Sequence, residues 1–193
     1  MNIKVSGYGG TQIAPIESEL FDKRIIFLEG EVTQVLADDI AKQIIYLSAK
    51  DSKTPISLII NSPGGDVDAG LKICDAVSGA ACTVNAYCFG WAYSMGAIIF
   101  EAVNGKRYMI GHSKLMLHQP SVTALQHQTT NDIAALADQM DKKNSLLLSI
   151  VSKKSGISQK TLSAETQSDR YYDADEAVKK NLADAQADIS DLL

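Results

Sequence analysis

The sequence predicts an α/β fold with a largely parallel sheet. Short apolar runs of strand length alternate along the chain with segments whose apolar residues recur at helical spacing. Such alternation is typical of strands joined by crossover helices, which leave the strands parallel. The chain has 193 residues, of which 46% are hydrophobic, and this is long enough for one domain with its own core.

The predicted elements follow one another from residue 24. Strands are expected at 24–28, where Gly30 ends the run, and then at 56–60, 83–88, 108–110 and 114–117. Helices are expected at 35–49, 67–77, 94–102 and 130–152, after residue 157, and at 174–181. Asp173 and Glu176 have the spacing of a capping box for the last helix. Residues 1–15 show little periodicity and are predicted to be a mobile arm before a single domain of residues 16–193.

Composition excludes several classes of function. The 18 basic and 23 acidic residues give a net charge of −5, which argues against nucleic acid as a partner. The sequence contains no run of ~20 apolar residues, so no membrane span is expected, and no apolar signal core is expected at the N-terminus. Cys74, Cys82 and Cys88 lack metal-site spacing, so they are predicted to be buried thiols in the cytoplasm. Neither a metal nor a cofactor is expected on this chain.

A glycine pair follows the predicted strand 56–60. In the segment Asn-Ser-Pro-Gly-Gly-Asp of residues 61–66, Gly64 and Gly65 allow backbone conformations that are closed to other residues. They also let another chain approach their backbone N–H groups. The alternative is an ordinary strand-to-helix turn, which is favoured on this motif alone. It is not a phosphate loop, because the lysine and the hydroxyl residue of that motif are missing.

Ser94 stands between a predicted strand and a predicted helix. A serine at this position can project its hydroxyl where the helix field favours developing negative charge, much as in the elbow of serine hydrolases. The N–H of Met95 could then bind an oxyanion. A helix N-cap is the alternative, because serine is a favoured cap. The residues themselves leave the two interpretations evenly balanced.

A nucleophilic serine needs a base, and the chain has three histidines. His118 ends an apolar strand, where parallel sheets open their ligand crevice, whereas His112 and His127 lie in polar segments and are predicted to be solvated. Asp169 lies in a predicted loop between two short helices. On its own it is best interpreted as a surface acid, since acidic residues are many.

Five segments together resemble the proteolytic subunit of the Clp proteases, the ClpP family. They occur in the expected order and spacing at residues 21–31, 61–65, 94–97, 116–120 and 169–177. The resemblance covers the chain from about residue 16 to its end. It implies a crotonase-like α/β fold of layered, repeated β-β-α units, with a protruding handle helix at about 121–155.

The resemblance also implies roles for individual residues. Ser94 would be the nucleophile, His118 the general base and acid, and Asp169 the residue that orients His118. The backbone N–H groups of Gly65 and Met95 would form the oxyanion hole. A substrate groove would be lined by Gly64, Ser121, Val122, Thr123 and Leu125.

By the same resemblance, the protein is expected to be a serine endopeptidase that cleaves unfolded polypeptides or peptides. Its copies would form a seven-membered ring, or two stacked rings, around a closed chamber. A ring-shaped AAA+ unfoldase of the ClpX, ClpC or ClpA type would use ATP to feed substrates into that chamber.

Four features depart from the family pattern. Tyr93 stands where a small residue usually precedes the serine, and is expected to narrow the site or change its preference. The segment 121–127 lacks the usual glycines, Gln167 and Ser168 replace an acid and an arginine that pair across rings, and the N-terminal arm differs. These departures predict a divergent paralogue, with altered ring pairing or ATPase docking.

Other functions remain open from the sequence. A crotonase-type acyl-CoA enzyme would share the fold but needs only the backbone donors. An inactive scaffold subunit would keep the three side chains without using them. A phage head-maturation protease, or a peptidase that works without an ATPase, is also compatible with the motifs.

Overall fold

The centre of the molecule is a seven-stranded, mostly parallel sheet in a computed structural model that describes residues 1–7, 10–121 and 129–192. Two short strands, β1 (Asn2–Gly7) and β2 (Gly10–Pro15), form a separate antiparallel hairpin. Five parallel strands of the main sheet lie in the order β3 (Ile25–Val32), β4 (Ile56–Gly65), β5 (Val84–Tyr93), β6 (Arg107–Ile110) and β9 (Ala185–Ala187). The last half of β5 also pairs with β7 (Lys114–Leu117), which pairs antiparallel with β8 (Arg170–Asp173).

Seven α-helices and one 3₁₀ turn are present in the described residues. They are α1 (Ile16–Asp22), α2 (Gln34–Lys50), α3 (Val67–Gly79), α4 (Met95–Ala102), α5 (Thr130–Ser155), α6 (Gln159–Glu165), α7 (Ala174–Lys179) and the turn Ile189–Leu192. Side chains before two helices define where they begin. Thr33 accepts a hydrogen bond from the N–H of Leu36, and Asp66 accepts one from the N–H of Ala69. The α/β prediction with a largely parallel sheet is confirmed.

The main core lies between the sheet and helices α2, α3 and α4. Ile40, Ile73 and Phe100 from these helices are buried against the apolar residues of β3, β4 and β5. A smaller cluster around Ile59 and Tyr87 covers the other face of the sheet. All three cysteines are free and buried, as predicted.

Helix α5 projects from the domain for about half its length. It begins with a capping box between Thr129 and Asp132 and ends at Gly156, whose φ of 78° is the left-handed conformation that stops a helix. Its buried residues all lie in the second half, at Leu147, Leu148, Val151 and Ser155. In the first half even Ile133 is 59% exposed. The handle helix is therefore present over 130–155, whereas residues 122–128 of the expected handle lie outside the described part.

The glycine turns near the sheet differ from the prediction. Gly30 does not end its strand, because β3 continues to Val32 after a register shift between Glu29 and Glu31. Residues 61–65 are likewise not a simple turn, since Gly64 and Gly65 pair with Glu31 and Val32 at the end of β4. Pairing to a neighbouring strand overrides the local turn preference of these glycines.

The structure also differs from the predicted elements near both ends of the chain. The predicted loop around Asp169 leads directly into β8, and the predicted last helix stops at Lys179. Asp173 caps α7 through the N–H of Glu176, but the Glu176 carboxylate binds Arg170, so the reciprocal half of the predicted capping box is missing. Residues 2–15 contain the hairpin in place of an irregular arm, and the mobility of that arm stays a prediction.

Candidate active site

Ser94 occupies the sharp junction between β5 and α4. Its backbone has φ 52° and ψ −122°, a conformation that residues with a side chain rarely adopt. The N–H of Ser94 donates to the carbonyl of Met116 at 2.9 Å, which ties the junction to β7. Ser94 occupies the N-cap position of α4, but its side chain makes no capping hydrogen bond to the helix.

His118 follows the last residue of β7 and reaches the serine. Because β7 pairs in parallel with the end of β5, the residues after both strands emerge at the same edge of the sheet. The Nε2 atom of His118 lies 2.8 Å from the Oγ atom of Ser94. This is hydrogen-bond distance, with the base on the serine oxygen as nucleophilic catalysis requires.

Asp169 lies on the other side of the imidazole. Strand β8 runs antiparallel to β7 with Arg170 opposite Leu117, so Asp169 comes next to His118. One carboxylate oxygen of Asp169, Oδ1, lies 3.4 Å from Nδ1 of His118. The structure thus brings together all three side chains that the resemblance singled out, in the order serine, histidine, acid.

Gly64 lies directly against the serine. A Cβ atom on Gly64 would lie 2.7 Å from the Cβ of Ser94 and 2.9 Å from the N atom of Met95. At Gly65 an added Cβ would lie 2.5 Å from the carbonyl oxygen of Val32. Both glycines also have positive φ values, 95° and 148°, so side chains are disfavoured there on two grounds.

Met95 is the first residue of α4. The first N–H groups of a helix have no partner within the helix, so the N–H of Met95 is available at the end that carries partial positive charge. The end of β4 and the start of α4 therefore meet beside the Ser94 hydroxyl. Backbone donors in such a place suit an oxygen that acquires negative charge.

The Tyr93 ring packs against two other aromatic rings of the sheet. Its ring meets Tyr171 edge to face at 5.5 Å between centroids and lies 6.0 Å from the ring of Trp91 in a stacked arrangement. Burial is the main reason why the pKa of Tyr93 is raised, and Tyr171 adds to it. That Tyr93 narrows the site stays a prediction. In the structure its ring contacts Tyr171 of β8.

Tyr171 is a neighbour of the site that the sequence reasoning missed. Its hydroxyl donates to Oδ2 of Asp169 at 3.4 Å. The signal was available in principle, because residues two apart in a strand share a face. It went unused because Asp169 was placed in a loop, and β8 was not predicted.

The remaining predicted site residues are less informative. Ser121 is exposed, and Val122, Thr123, Leu125 and His127 lie outside the described residues. His112 is exposed in the turn between β6 and β7, as predicted. Burial raises the pKa of the Cys88 thiol to about 12, so this cysteine is not a reactive thiolate.

The described residues contain neither a metal-binding cluster nor a membrane-spanning helix. No group of three or more histidine, cysteine or acidic side chains there is arranged to hold a metal ion. Within the same ranges, no helix combines the length and the apolar character that crossing a bilayer requires.

Comparison with known proteins shows the family of this chain. The family model for Clp protease matches residues 8–188. The ATP-dependent Clp protease proteolytic subunit 2 of Chlamydia abortus is 35% identical over 176 residues, which cover 91% of this chain and 85% of the relative. The subunits 2 of Rhodococcus jostii and Corynebacterium efficiens are 35% and 34% identical, over 88% and 95% of this chain and 86% and 92% of their own lengths. The chain belongs to the Clp protease family.

Proposed function

We propose that this protein is a serine endopeptidase that cleaves unfolded polypeptides or peptides. The observation that carries the proposal is the 2.8 Å contact between Nε2 of His118 and Oγ of Ser94, whose backbone has a positive φ of 52°. A structural serine at a helix start would bond to the helix, and this one does not. The Asp169 contact on the far side of His118 adds the group that orients an imidazole.

The proposed mechanism gives each of these groups a role. His118 accepts the Ser94 proton as the hydroxyl oxygen attacks a peptide carbonyl carbon. The N–H groups of Gly65 and Met95 bind the resulting oxyanion, and each such donor contributes about 2.7–4 kcal/mol in serine enzymes. His118 then gives its proton to the leaving amine. In the second half of the reaction His118 accepts a proton from a water molecule as that water attacks the acyl-enzyme, and it returns the proton to the Ser94 oxygen as the acyl group leaves. Asp169 keeps Nδ1 protonated and stabilises the cation that forms.

We further propose that copies of the chain assemble into a ring, or two stacked rings, that encloses the site. The family membership supports this, together with the projecting first half of α5, where Ile133 is left exposed in the single chain. The names of the relatives include ATP dependence, so a AAA+ unfoldase is the proposed partner. Gln167 and Ser168 carry no charge, so we expect weaker pairing between rings than an acid and an arginine would give. The three free, buried cysteines suit the reducing cytoplasm.

A fluorophosphonate probe tests the chemistry directly. Wild-type protein should be labelled at Ser94, whereas Ser94→Ala and His118→Ala should not. Hydrolysis of a fluorescent unfolded polypeptide should depend on the same two residues. Absence of labelling in every assembly state would overturn the proposal in favour of an inactive scaffold subunit.

Assembly and the acyl-CoA alternative need separate measurements. Native mass spectrometry should show a multiple of seven subunits, and a monomer at all concentrations would contradict the ring. A crotonase-type enzyme would bind acyl-CoA and would tolerate Ser94→Ala, since it relies on backbone donors alone. Saturable binding of acyl-CoA without probe labelling would favour that function.

A further inference from the structure

The acid of the proposed catalytic triad has an unusually open position. The Asp169 side chain is 54% exposed. Among the described residues its carboxylate has two polar contacts, one for each oxygen: Oδ1 with Nδ1 of His118 and Oδ2 with the hydroxyl of Tyr171, both at 3.4 Å. Water competes for an exposed carboxylate, so a contact with one oxygen leaves the group free to turn away from the histidine.

Tyr171 is well placed to prevent that rotation. It is the second residue of β8 and follows Asp169, which immediately precedes that strand, by two positions, so the extended backbone can direct both side chains to the same side. Tyr93 and Tyr171 both stand opposite Met116 of β7, one on each side, and their rings meet edge to face across it. The Tyr171 ring is thus supported by the residue that immediately precedes Ser94, although 46% of Tyr171 remains exposed.

We propose that Tyr171 is a positioning residue for Asp169. Its hydroxyl donates to Oδ2 and so fixes the carboxylate plane with Oδ1 directed at Nδ1 of His118. This inference rests on the proposed peptidase function, because it matters only if His118 must be oriented to activate Ser94. Tyr93 contributes indirectly, through the ring contact that holds Tyr171.

The test separates orientation of Asp169 from general packing. Tyr171→Phe removes the hydroxyl and keeps the ring, and it should lower kcat about fivefold with KM unchanged, since one hydrogen bond to a charged group is lost. Tyr172→Phe is the matched control. Its hydroxyl belongs to the same strand but donates to Glu165 on the opposite face, so its loss should lower Tm and leave kcat unchanged.

A double-mutant cycle supplies the decisive readout. The rate of fluorophosphonate labelling of Ser94 is compared in wild type, Tyr171→Phe, Asp169→Ala and the double variant. If Tyr171 acts through Asp169, its substitution lowers the rate in wild type and has no further effect in Asp169→Ala. Equal losses in both backgrounds would overturn the inference, as would a rise in KM alone, which would place Tyr171 in contact with substrate.

The same experiment distinguishes this inference from the function on which it rests. If wild-type protein is not labelled, the proposed peptidase function fails. If wild type is labelled and Tyr171→Phe reacts equally fast, the peptidase stands and the role of Tyr171 is wrong. A thermal melt of each variant verifies that the compared proteins are folded.

Discussion

The two ends of helix α4 carry two groups of polar side chains with opposite properties. At its first end, Ser94, His118 and Asp169 form an open chain of contacts, with a strained backbone at the serine. At its last end, the side chains of Glu101 and Arg107 form a fully buried hydrogen-bonded pair, 2.5 Å apart. The same eight-residue helix therefore has partly exposed polar side chains at its first end and fully buried ones at its last end.

The difference lies in the number of hydrogen bonds at each end: Arg107 donates three, although the buried Oε1 atom of Glu101 has no partner among the described residues. Arg107 donates to Glu101 through Nη1 and to Asp184 through Nε and its backbone N–H, at 3.1 and 2.8 Å for the latter two. Buried charges need such partners, because an unpaired one costs several kcal/mol. Among the described residues the Ser94 hydroxyl has a single hydrogen-bond partner, Nε2 of His118 at 2.8 Å. We infer that the first end of α4 serves activity and the second serves stability.

The largest expected effect is on activity at the first end. Ser94→Ala should reduce peptide hydrolysis by about 10⁶-fold, as loss of the nucleophile does in other serine enzymes. Tm should change little, because the Ser94 side chain makes no capping bond to α4. Fluorogenic hydrolysis and thermal melts measure the two quantities side by side.

Ser158→Ala is the matched control for that variant. Ser158 does cap its helix, since its hydroxyl oxygen accepts from the N–H of Thr161 at 3.1 Å. Its loss should cost about 1 kcal/mol of stability and leave activity intact. A large loss of stability in Ser94→Ala would contradict the division between the two ends.

The second prediction concerns stability at the buried end. Arg107→Met should lower the free energy of unfolding by about 3–5 kcal/mol, because Glu101 and Asp184 lose the cation between them. Lys106→Met is the control, since this neighbouring lysine faces the same Asp184 at 3.8 Å but is mostly exposed. It should change stability by less than about 1 kcal/mol. Chemical denaturation measures the unfolding free energy of both variants. Equal losses would show that burial does not determine how much each charged side chain contributes to stability.

Gly64 is expected to affect both stability and the reactivity of Ser94 at the first end of α4. Gly64→Ala places a methyl group within 2.7 Å of the Ser94 Cβ and of the Tyr93 carbonyl oxygen, at a backbone φ of 95°. We expect a loss of about 2–3 kcal/mol in stability together with slower labelling of Ser94. Gly79→Ala, where an added Cβ meets nothing within 4 Å, should be close to neutral. Normal labelling in Gly64→Ala would show that the close approach at Gly64 is dispensable.

The parts of the fold that the sequence predicts are those with a local signal, namely a regular spacing of apolar residues. The long helices and buried strands were found because their apolar spacing is regular, as in α2 and α5. Strands β8 and β9 were missed, since they have four and three residues and exist through pairing with β7 and β6. Pairing of distant segments leaves no periodic trace in so short a run.

The candidate site shows the same limit. The positions of Ser94 and His118 could be anticipated at strand ends, but only resemblance selected Asp169 among many acids. Tyr171 stayed hidden because its contact with Asp169 depends on β8. The buried Glu101 and Arg107 pair was equally invisible, since each looks like an ordinary surface charge in the sequence.

The smallest expected effect, counted per pH unit, is a pH dependence of stability at the buried end. Burial raises the pKa of Glu101 to about 8 from an ordinary value of 4.5, against the opposing influence of Arg107. The folded protein then holds a proton that the unfolded chain releases. The free energy of unfolding therefore falls as the pH rises from about 5 to 8, by at most about 1.4 kcal/mol per pH unit.

Glu101→Gln isolates this contribution. Glutamine keeps the size of the side chain and cannot titrate, so the difference in unfolding free energy between wild type and variant should grow as the pH rises, to the disadvantage of the wild type. Urea denaturation at pH 5, 6, 7 and 8 measures it. A difference that is constant across this range would mean that Arg107 keeps Glu101 ionised throughout. The buried end would then stabilise the fold as a true ion pair, and its contrast with the exposed Asp169 would lie in solvent access alone.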